Sequence, residues 1–249
     1  MPPVELIILF FIIAAVYASA GFGGGSSYLA IMSLYGLQQN VMRPTSLICN
    51  IVVVIGGIYI LWKGGFLDLK KIIPLSIASI PLAFIGGRIP LKDSTFFVLL
   101  GISLVIAALL MFFQRYFTAT DSQEPSTKYQ TQRGTILGGS IGFLSGMVGI
   151  GGGIFLSPVL NLMKWDTPKH IAATASFFIL VNSISGLAGQ LSKNPHIDWQ
   201  FVVPLVGAVF IGGQLGSRLS AFAMGQSLVR QITALLVFYA GINILWTHI

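Results

Sequence analysis

The chain has 249 residues, of which 55% are hydrophobic and 8% are charged, and its mean hydropathy is +0.86. This composition excludes a water-soluble domain and predicts an all-α integral membrane protein embedded in a lipid bilayer. The net charge of +7 does not indicate nucleic acid as a partner, because Lys and Arg stand at the ends of apolar segments, where membrane topology explains them.

Eight apolar segments fill nearly the whole chain, and about 20 apolar residues cross a bilayer as a helix. The segments are 4–35, 45–62, 72–91, 95–113, 135–163, 171–191, 199–221 and 227–247. The first resembles the core of a signal peptide, but it begins with Glu5 instead of basic residues. We therefore expect it to remain as a membrane helix.

A glycine-rich turn interrupts the first segment at residues 21–25, GFGGG, and the fifth at residues 149–153, GIGGG. The apolar sequence on each side of both turns is long enough for a separate helix. Because glycine has no Cβ, successive glycines adopt backbone conformations closed to other residues. Each of these segments is therefore predicted to form helix, unwound turn and helix.

The two glycine turns lie 128 residues apart and belong to an internal duplication. Further landmarks match in the same order: Lys63 with Lys193, Asp68 with Asp198, Pro74 with Pro204, and Arg88 with Arg218. We expect the two Asp residues to cap the helices that follow them. The predicted organisation is a first membrane repeat at 1–117, a hydrophilic linker at 118–133 and a second repeat at 134–249.

The distribution of basic residues distinguishes two topologies. If both glycine elements cross the membrane, the 14 basic residues divide evenly between the faces, contrary to the usual cytoplasmic excess. If both are hairpins, ten share one face, opposite Arg43, Arg88, Lys92 and Lys193. The ten are Lys63, Lys70, Lys71, Arg115, Lys128, Arg133, Lys164, Lys169, Arg218 and Arg230. The hairpin model predicts inverted repeats, a cytoplasmic linker and both termini outside.

Backbone amides freed at the two turns, together with the positive ends of the helices that follow, suit a small anion. The candidate binding residues are Gly23, Gly24, Gly25, Ser26, Ser27, Thr45, Ser46, Asn50, Gly151, Gly152, Gly153, Thr174, Ser176 and Asn182. Arg88 and Arg218 are candidates for aqueous vestibules, although snorkelling to the interface would also explain them. We assign Gly138, Gly142 and Gly146, at four-residue spacing, to close helix packing.

The sequence lacks the residues that proton relay, metal binding and nucleotide hydrolysis would require. None of the seven acidic residues lies deep in an apolar segment, which disfavours a carboxylate proton relay. The three histidines lack metal-ligand spacing, and no nucleotide-binding loop occurs. We therefore predict no cofactor, no metal and no enzymatic activity.

The stretch VGIGGGIFLSP at 148–158, followed by AATAS at 172–176, resembles the sulfite exporter TauE/SafE family of membrane transporters. The resemblance implies transport of a small sulfur-containing anion, such as sulfite or an organosulfonate, across the plasma membrane. The first half departs from the pattern, with Ala30 where the second has Pro158 and with Arg43 and Pro44 before Thr45.

The resulting hypothesis is a secondary transporter or facilitator that binds its anion between the two glycine turns. A passive anion channel is the nearest alternative, because the same amides and hydroxyls could line a filter. An intramembrane enzyme would need a nucleophile and base pair or a metal cluster, which the sequence lacks. A membrane assembly factor would not need duplicated polar turns.

Overall fold

The computed structural model describes residues 1–19, 21–114, 127–193, 196–219 and 226–248, with the backbone alone at 114, 127–133, 219, 226–230 and 232. Its ten helices are α1 Val4–Ser19, α2 Gly25–Leu34, α3 Gln39–Lys63, α4 Leu69–Arg88, α5 Asp93–Gln114, α6 Thr127–Val148, α7 Gly153–Leu162, α8 Pro168–Leu191, α9 Trp199–Leu219 and α10 Gln226–His248. The all-helical prediction is confirmed. Five of these helices, α3, α4, α5, α8 and α9, are long and apolar enough to cross a membrane.

Both glycine turns break their helices. Gly24 precedes α2 with φ of 86°, and Gly152 precedes α7 with φ of 83°, so both N-cap residues lie in the left-handed region. Residues with a side chain rarely adopt this conformation, which explains why glycine occupies both positions. The prediction of helix, turn and helix is confirmed for both segments.

Helices α6 and α7 form a hairpin that returns to its face of entry. A Cβ built on Gly134, near the start of α6, would lie 3.2 Å from the Trp165 ring, just beyond the end of α7. The first half has the same form. Helix α1 runs parallel to α9, with Phe11 and Ala15 facing Gly212 and Gly216, and α2 folds back along α1, so that Phe10 stacks on Tyr28 with 4.5 Å between the ring centroids. We call the two turns, 21–24 and 149–152, the hairpin tips.

Helices α3 and α8, which occupy corresponding positions in the two halves, run antiparallel. A Cβ on Gly186, near the end of α8, would lie 3.6 Å from Leu47, near the start of α3. At the opposite ends, Phe66 packs edge-on against His170 with 5.6 Å between the ring centroids. A two-fold axis that relates α3 to α8 would therefore run perpendicular to the helices and not parallel to them.

The helix directions sort the basic residues onto two faces. One face, which we call the linker face, carries Lys63, Lys70, Lys71, Lys164, Lys169 and Arg218. The opposite face, which we call the Arg43 face, carries Arg43, Arg88, Lys92 and Lys193. Arg115 and the side chains of Lys128, Arg133 and Arg230 lie outside the described part of the chain.

Close packing of α6 on α4 passes through the three spaced glycines, as predicted. A Cβ at Gly138 or Gly146 would collide with a backbone carbonyl oxygen of α4, and a Cβ at Gly142 would lie 2.7 Å from Ser79. Such contact is how small residues bring membrane helices together.

Two predicted helix caps are also present. Asp68 accepts from the Lys70 amide at 3.0 Å at the start of α4, and Asp198 accepts from the Phe201 amide at 3.1 Å at the start of α9. Of the predicted linker, residues 118–126 lie outside the described ranges, and α6 begins at Thr127. The predicted start of the second repeat at 134 therefore falls inside a helix.

Candidate functional site at the hairpin tips

The two hairpin tips meet at a small buried cavity. Its volume of about 20 Å³ is room for one water molecule. The first tip and the start of α2 line it with Gly23, Gly24, Gly25 and Ser26, and the second tip and α7 line it with Ile150, Gly153, Ile154 and Pro158. Helices α3 and α8 complete the wall with Asn50 and Ile179. The cavity therefore lies between the two predicted repeats.

Two helix N termini converge on this cavity. In α2 the first intrahelical bond runs from the Tyr28 amide to the Gly24 carbonyl, so the amides of 25–27 have no partner within the helix. In α7 the amides of Phe155 and Leu156 both reach the Gly152 carbonyl, at 3.1 Å each. Each helix presents its positive end to the cavity, and such ends attract anions.

Asn50 joins the first half to the second tip. Its Nδ2 donates to the Ile150 carbonyl at 2.9 Å, and the side chain is fully buried. Its Oδ1 has no hydrogen-bond partner among the described residues. The residue eleven positions into α3 is Asn50 (50 − 39), and the residue eleven positions into α8 is Ile179 (179 − 168). The cavity wall formed by α3 is thus polar at Asn50, whereas the wall formed by α8 is apolar at Ile179.

Buried hydroxyls hold the first tip in shape. Ser46 donates to the Gly25 carbonyl at 3.1 Å, and Ser176 donates to the Gly21 carbonyl at 2.7 Å. Ser27 and Tyr17 share a hydrogen bond of 2.5 Å. These contacts come from α1, α3 and α8, so both halves position the first turn.

The predicted site residues divide into three groups. Six line the cavity: Gly23, Gly24, Gly25, Ser26, Asn50 and Gly153. Five support the tips without lining it: Ser27, Ser46, Gly151, Gly152 and Ser176. Three are buried away from the lining: Thr45, which donates to Val41 in its own helix at 2.6 Å, Asn182, which donates to Phe178 at 2.8 Å, and Thr174.

The wall residues that sequence reasoning missed are mainly apolar. They are Tyr17, Phe22, Met111, Ile150, Ile154, Pro158 and Ile179. Apolar side chains in membrane helices carry no individual signal, because most such residues face lipid or neighbouring helices.

The two predicted vestibule residues lie on opposite faces. Arg88 lines a cavity of about 440 Å³ on the Arg43 face, whereas Arg218 is exposed on the linker face. Among the residues that the structure describes, no three His, Cys, Asp or Glu side chains cluster as metal ligands would.

Comparison with known proteins gives one family. The family model described as "Sulfite exporter TauE/SafE" matches residues 6–244. The chain is similar to the "Probable membrane transporter protein y4hK" of Sinorhizobium fredii, with 31% identity over 98% of both chains. It is also similar to the "Probable membrane transporter protein YunE" of Bacillus subtilis, with 26% identity over 94% of both chains. No solved structure matches the chain.

Proposed function

Since the chain belongs to the sulfite exporter TauE/SafE family of membrane transporters, we propose that it carries a small sulfur-containing oxyanion, such as sulfite or an organosulfonate, across the plasma membrane. The observation that carries this proposal is the meeting of two duplicated helix N termini at one buried cavity. Transporters with two-fold internal repeats commonly bind solute at such broken helices.

The proposed binding groups are backbone amides. The amides of Gly25 and Ser26 in α2 and of Gly153 and Ile154 in α7 lack partners within their helices, and these residues line the cavity. Uncharged donors stabilise an anion without holding it as tightly as a buried cation would, which suits a solute that must be released. Asn50 Nδ2 keeps the second tip in register with the first.

The size of the cavity supports a carrier over an open pore. With room for one water molecule, the junction is smaller than an oxyanion with its oxygens, so binding requires the tips to separate. Tips on oppositely directed hairpins can move apart as the two halves rock. A passive channel would instead need a continuous aqueous path through the junction.

The distribution of basic residues between the linker face and the Arg43 face supports a proposed orientation in the membrane. The linker face holds six of the ten basic residues with described side chains, and α6 begins at Thr127 on the same side. We assign the linker face to the cytoplasm by the excess of Lys and Arg, which makes the two halves inverted repeats with both termini outside.

Uptake into proteoliposomes tests the function. Sulfite, thiosulfate, sulfate and an organosulfonate are supplied in turn under an imposed membrane potential. We expect saturable uptake of at least one, accelerated when the same anion is preloaded on the opposite side. Uptake that rises linearly with concentration and shows no acceleration indicates a channel. An absence of uptake for all four anions contradicts the proposal.

A further inference from the structure

A second polar cavity opens on the Arg43 face, separate from the hairpin tips. Its volume is about 440 Å³. The polar and charged residues that line it include Gln39, Arg43, Arg88, Gln190, Lys193 and His196, and the lining contains no Asp or Glu among the described residues. We call this cavity the Arg43 vestibule. A concave site of one charge sign concentrates ions of the opposite sign.

Arg43 is a buried guanidinium without an acidic partner. Its side chain belongs to a residue that is 8% exposed, and it forms no salt bridge within the described residues. Nη2 donates to the carbonyls of Gly87 and Gly146 at 3.3 Å each, and Nε has no partner among the described residues. A buried cation held only by neutral carbonyls is costly unless an anion compensates it.

Neighbouring amides are also left unsatisfied at the same cavity. Gln190 is 9% exposed, and its Nε2 has no partner in the described chain. Gln39 donates through Nε2 to the Leu91 carbonyl, which leaves Oε1 without a partner there. Because Gln190 and Arg43 line the same cavity, their donors together suit an oxyanion, and the free acceptor of Gln39 suits an oxygen that retains its hydrogen.

The Arg43 vestibule adjoins the second tip. A Cβ on Gly149 would lie 3.2 Å from the Arg43 Cα, so the backbone of Arg43 packs against the start of the α6–α7 turn. With the helix starts aligned, the position in α8 that corresponds to Arg43 is Ala172 (43 − 39 and 172 − 168). The guanidinium is thus on one face only.

We propose that Arg43 and Gln190 form a second anion-binding site, which holds a small oxyanion in the vestibule before it reaches the hairpin tips. The choice of an oxyanion as ligand rests on the proposed transport function. The location of the site rests on the unpaired polar groups of Arg43 and Gln190. Planar guanidinium donors bind two oxygens of one oxyanion at once, which Lys does not do.

Calorimetric titration of the purified full-length chain in detergent tests the site, with sulfite, sulfate and inorganic phosphate as probes. We expect Arg43→Gln to weaken binding of at least one anion by about tenfold or more, and Arg43→Lys to restore only part of it. Gln190→Leu should weaken binding severalfold without changing any charge. Lys92→Gln, which removes a charge from the same face outside the lining, is the matched control and should bind as the unaltered chain does.

The outcomes separate this site from the transport function. Gel filtration and thermal unfolding establish whether each variant is folded. If Arg43→Gln does not fold, the anion binding of Gln190→Leu tests the site instead. Unaltered binding by the folded variants, or an absence of binding for all three anions, overturns the proposal. If binding depends on Arg43 but the unaltered chain transports none of these anions, the vestibule site stands and the transport function fails.

Discussion

Asn50 in α3 donates a hydrogen bond of 2.9 Å to the carbonyl of Ile150 in the opposite hairpin tip. This bond crosses the boundary between the two halves at the cavity where the helix N termini meet. Any motion that separates the second tip from α3 must break it. Asn50 therefore fixes the second tip to α3 in this conformation.

Replacement of Asn50 tests this link. Asn50→Leu leaves the buried Ile150 carbonyl unpaired, so we expect the free energy of unfolding to fall by about 1–3 kcal/mol. Transport should fall by about tenfold or more, because the second tip loses its fixed position. Proteoliposome uptake and thermal unfolding measure the two effects.

The matched control is Asn161→Leu. Asn161 is partly buried and donates to Ser157 within its own helix at 2.7 Å, so the same chemical change leaves the junction intact. Equal loss of transport in both variants would show that the position of Asn50 at the junction is irrelevant.

The left-handed glycines at the tips give a second prediction. A Cβ at Gly24 would lie 2.9 Å from Tyr28 Cζ, and a Cβ at Gly152 would lie 2.9 Å from Phe178 Cε1. Gly24→Ala and Gly152→Ala combine this crowding with a strained φ and should reduce transport by about tenfold or more. Gly36→Ala carries the same strain at φ of 68° with nothing within 4 Å, so it should retain transport. A similar loss in all three variants would assign the effect to strain alone.

Close packing of α6 on α4 gives a third prediction. In Gly142→Val the Cβ would lie 2.7 Å from Ser79, with two further carbons attached to it. This crowding should destabilise the chain by at least about 1–3 kcal/mol. Gly207→Ala has nothing within 4 Å and should leave thermal unfolding unchanged or slightly improved. A tolerated Gly142→Val would contradict the assignment of this glycine to helix contact.

An ion pair on the linker face gives a pH dependence. Lys71 Nζ lies 2.6 Å from Asp166 Oδ2. Burial opposes ionisation of Asp166, but the hydrogen bonds from Lys71 and from the Thr167 amide outweigh it and hold the carboxyl pKa below its ordinary value of 3.8. The ionised carboxylate therefore stabilises the fold at pH values above 3.8, and this contribution is lost as the pH falls through the lowered pKa.

Thermal unfolding across acidic pH measures this contribution. We expect Asp166→Asn to unfold at a slightly lower temperature near neutral pH and to lose less stability than the unaltered chain on acidification. The effect is small, because the Lys71 side chain is 42% exposed and solvent screens the pair. An unchanged pH profile in Asp166→Asn would show that the pair contributes nothing.

Sidedness gives a fifth prediction. In a Cys49→Ala background, Lys63→Cys and Lys193→Cys should react with a membrane-impermeant maleimide from opposite sides of the membrane, because their helix ends lie on opposite faces. Lys92→Cys should react from the same side as Lys193→Cys. Labelling of Lys63→Cys and Lys193→Cys from one side would exclude the inverted arrangement.

Local signals in the sequence predicted much of the fold. Runs of glycine with short helices on both sides marked the breaks before Gly25 and Gly153, and the spacing of Gly138, Gly142 and Gly146 marked a helix contact. These features could be predicted because glycine acts through the backbone, whose conformational limits are the same in every fold.

Long-range relationships were less accessible. The sequence placed Asn50 within the apolar segment 45–62 and Arg43 just before it, but it did not reveal that Asn50 reaches the second tip and that Arg43 lines a vestibule. Thr45 and Asn182 satisfy carbonyls of their own helices, which a list of polar residues cannot distinguish from ligand contacts. Such distinctions depend on which elements pack together.

The most direct test is the position of bound anion, measured by anomalous diffraction from crystals of the full chain grown with selenite, a heavier pyramidal analogue of sulfite. We expect separated tips, with selenium within hydrogen-bonding reach of the amides of Gly25 and Ser26 or of Gly153 and Ile154. Continuous helix through residues 21–25 and 149–153, or sealed tips with selenium bound only elsewhere, would contradict it.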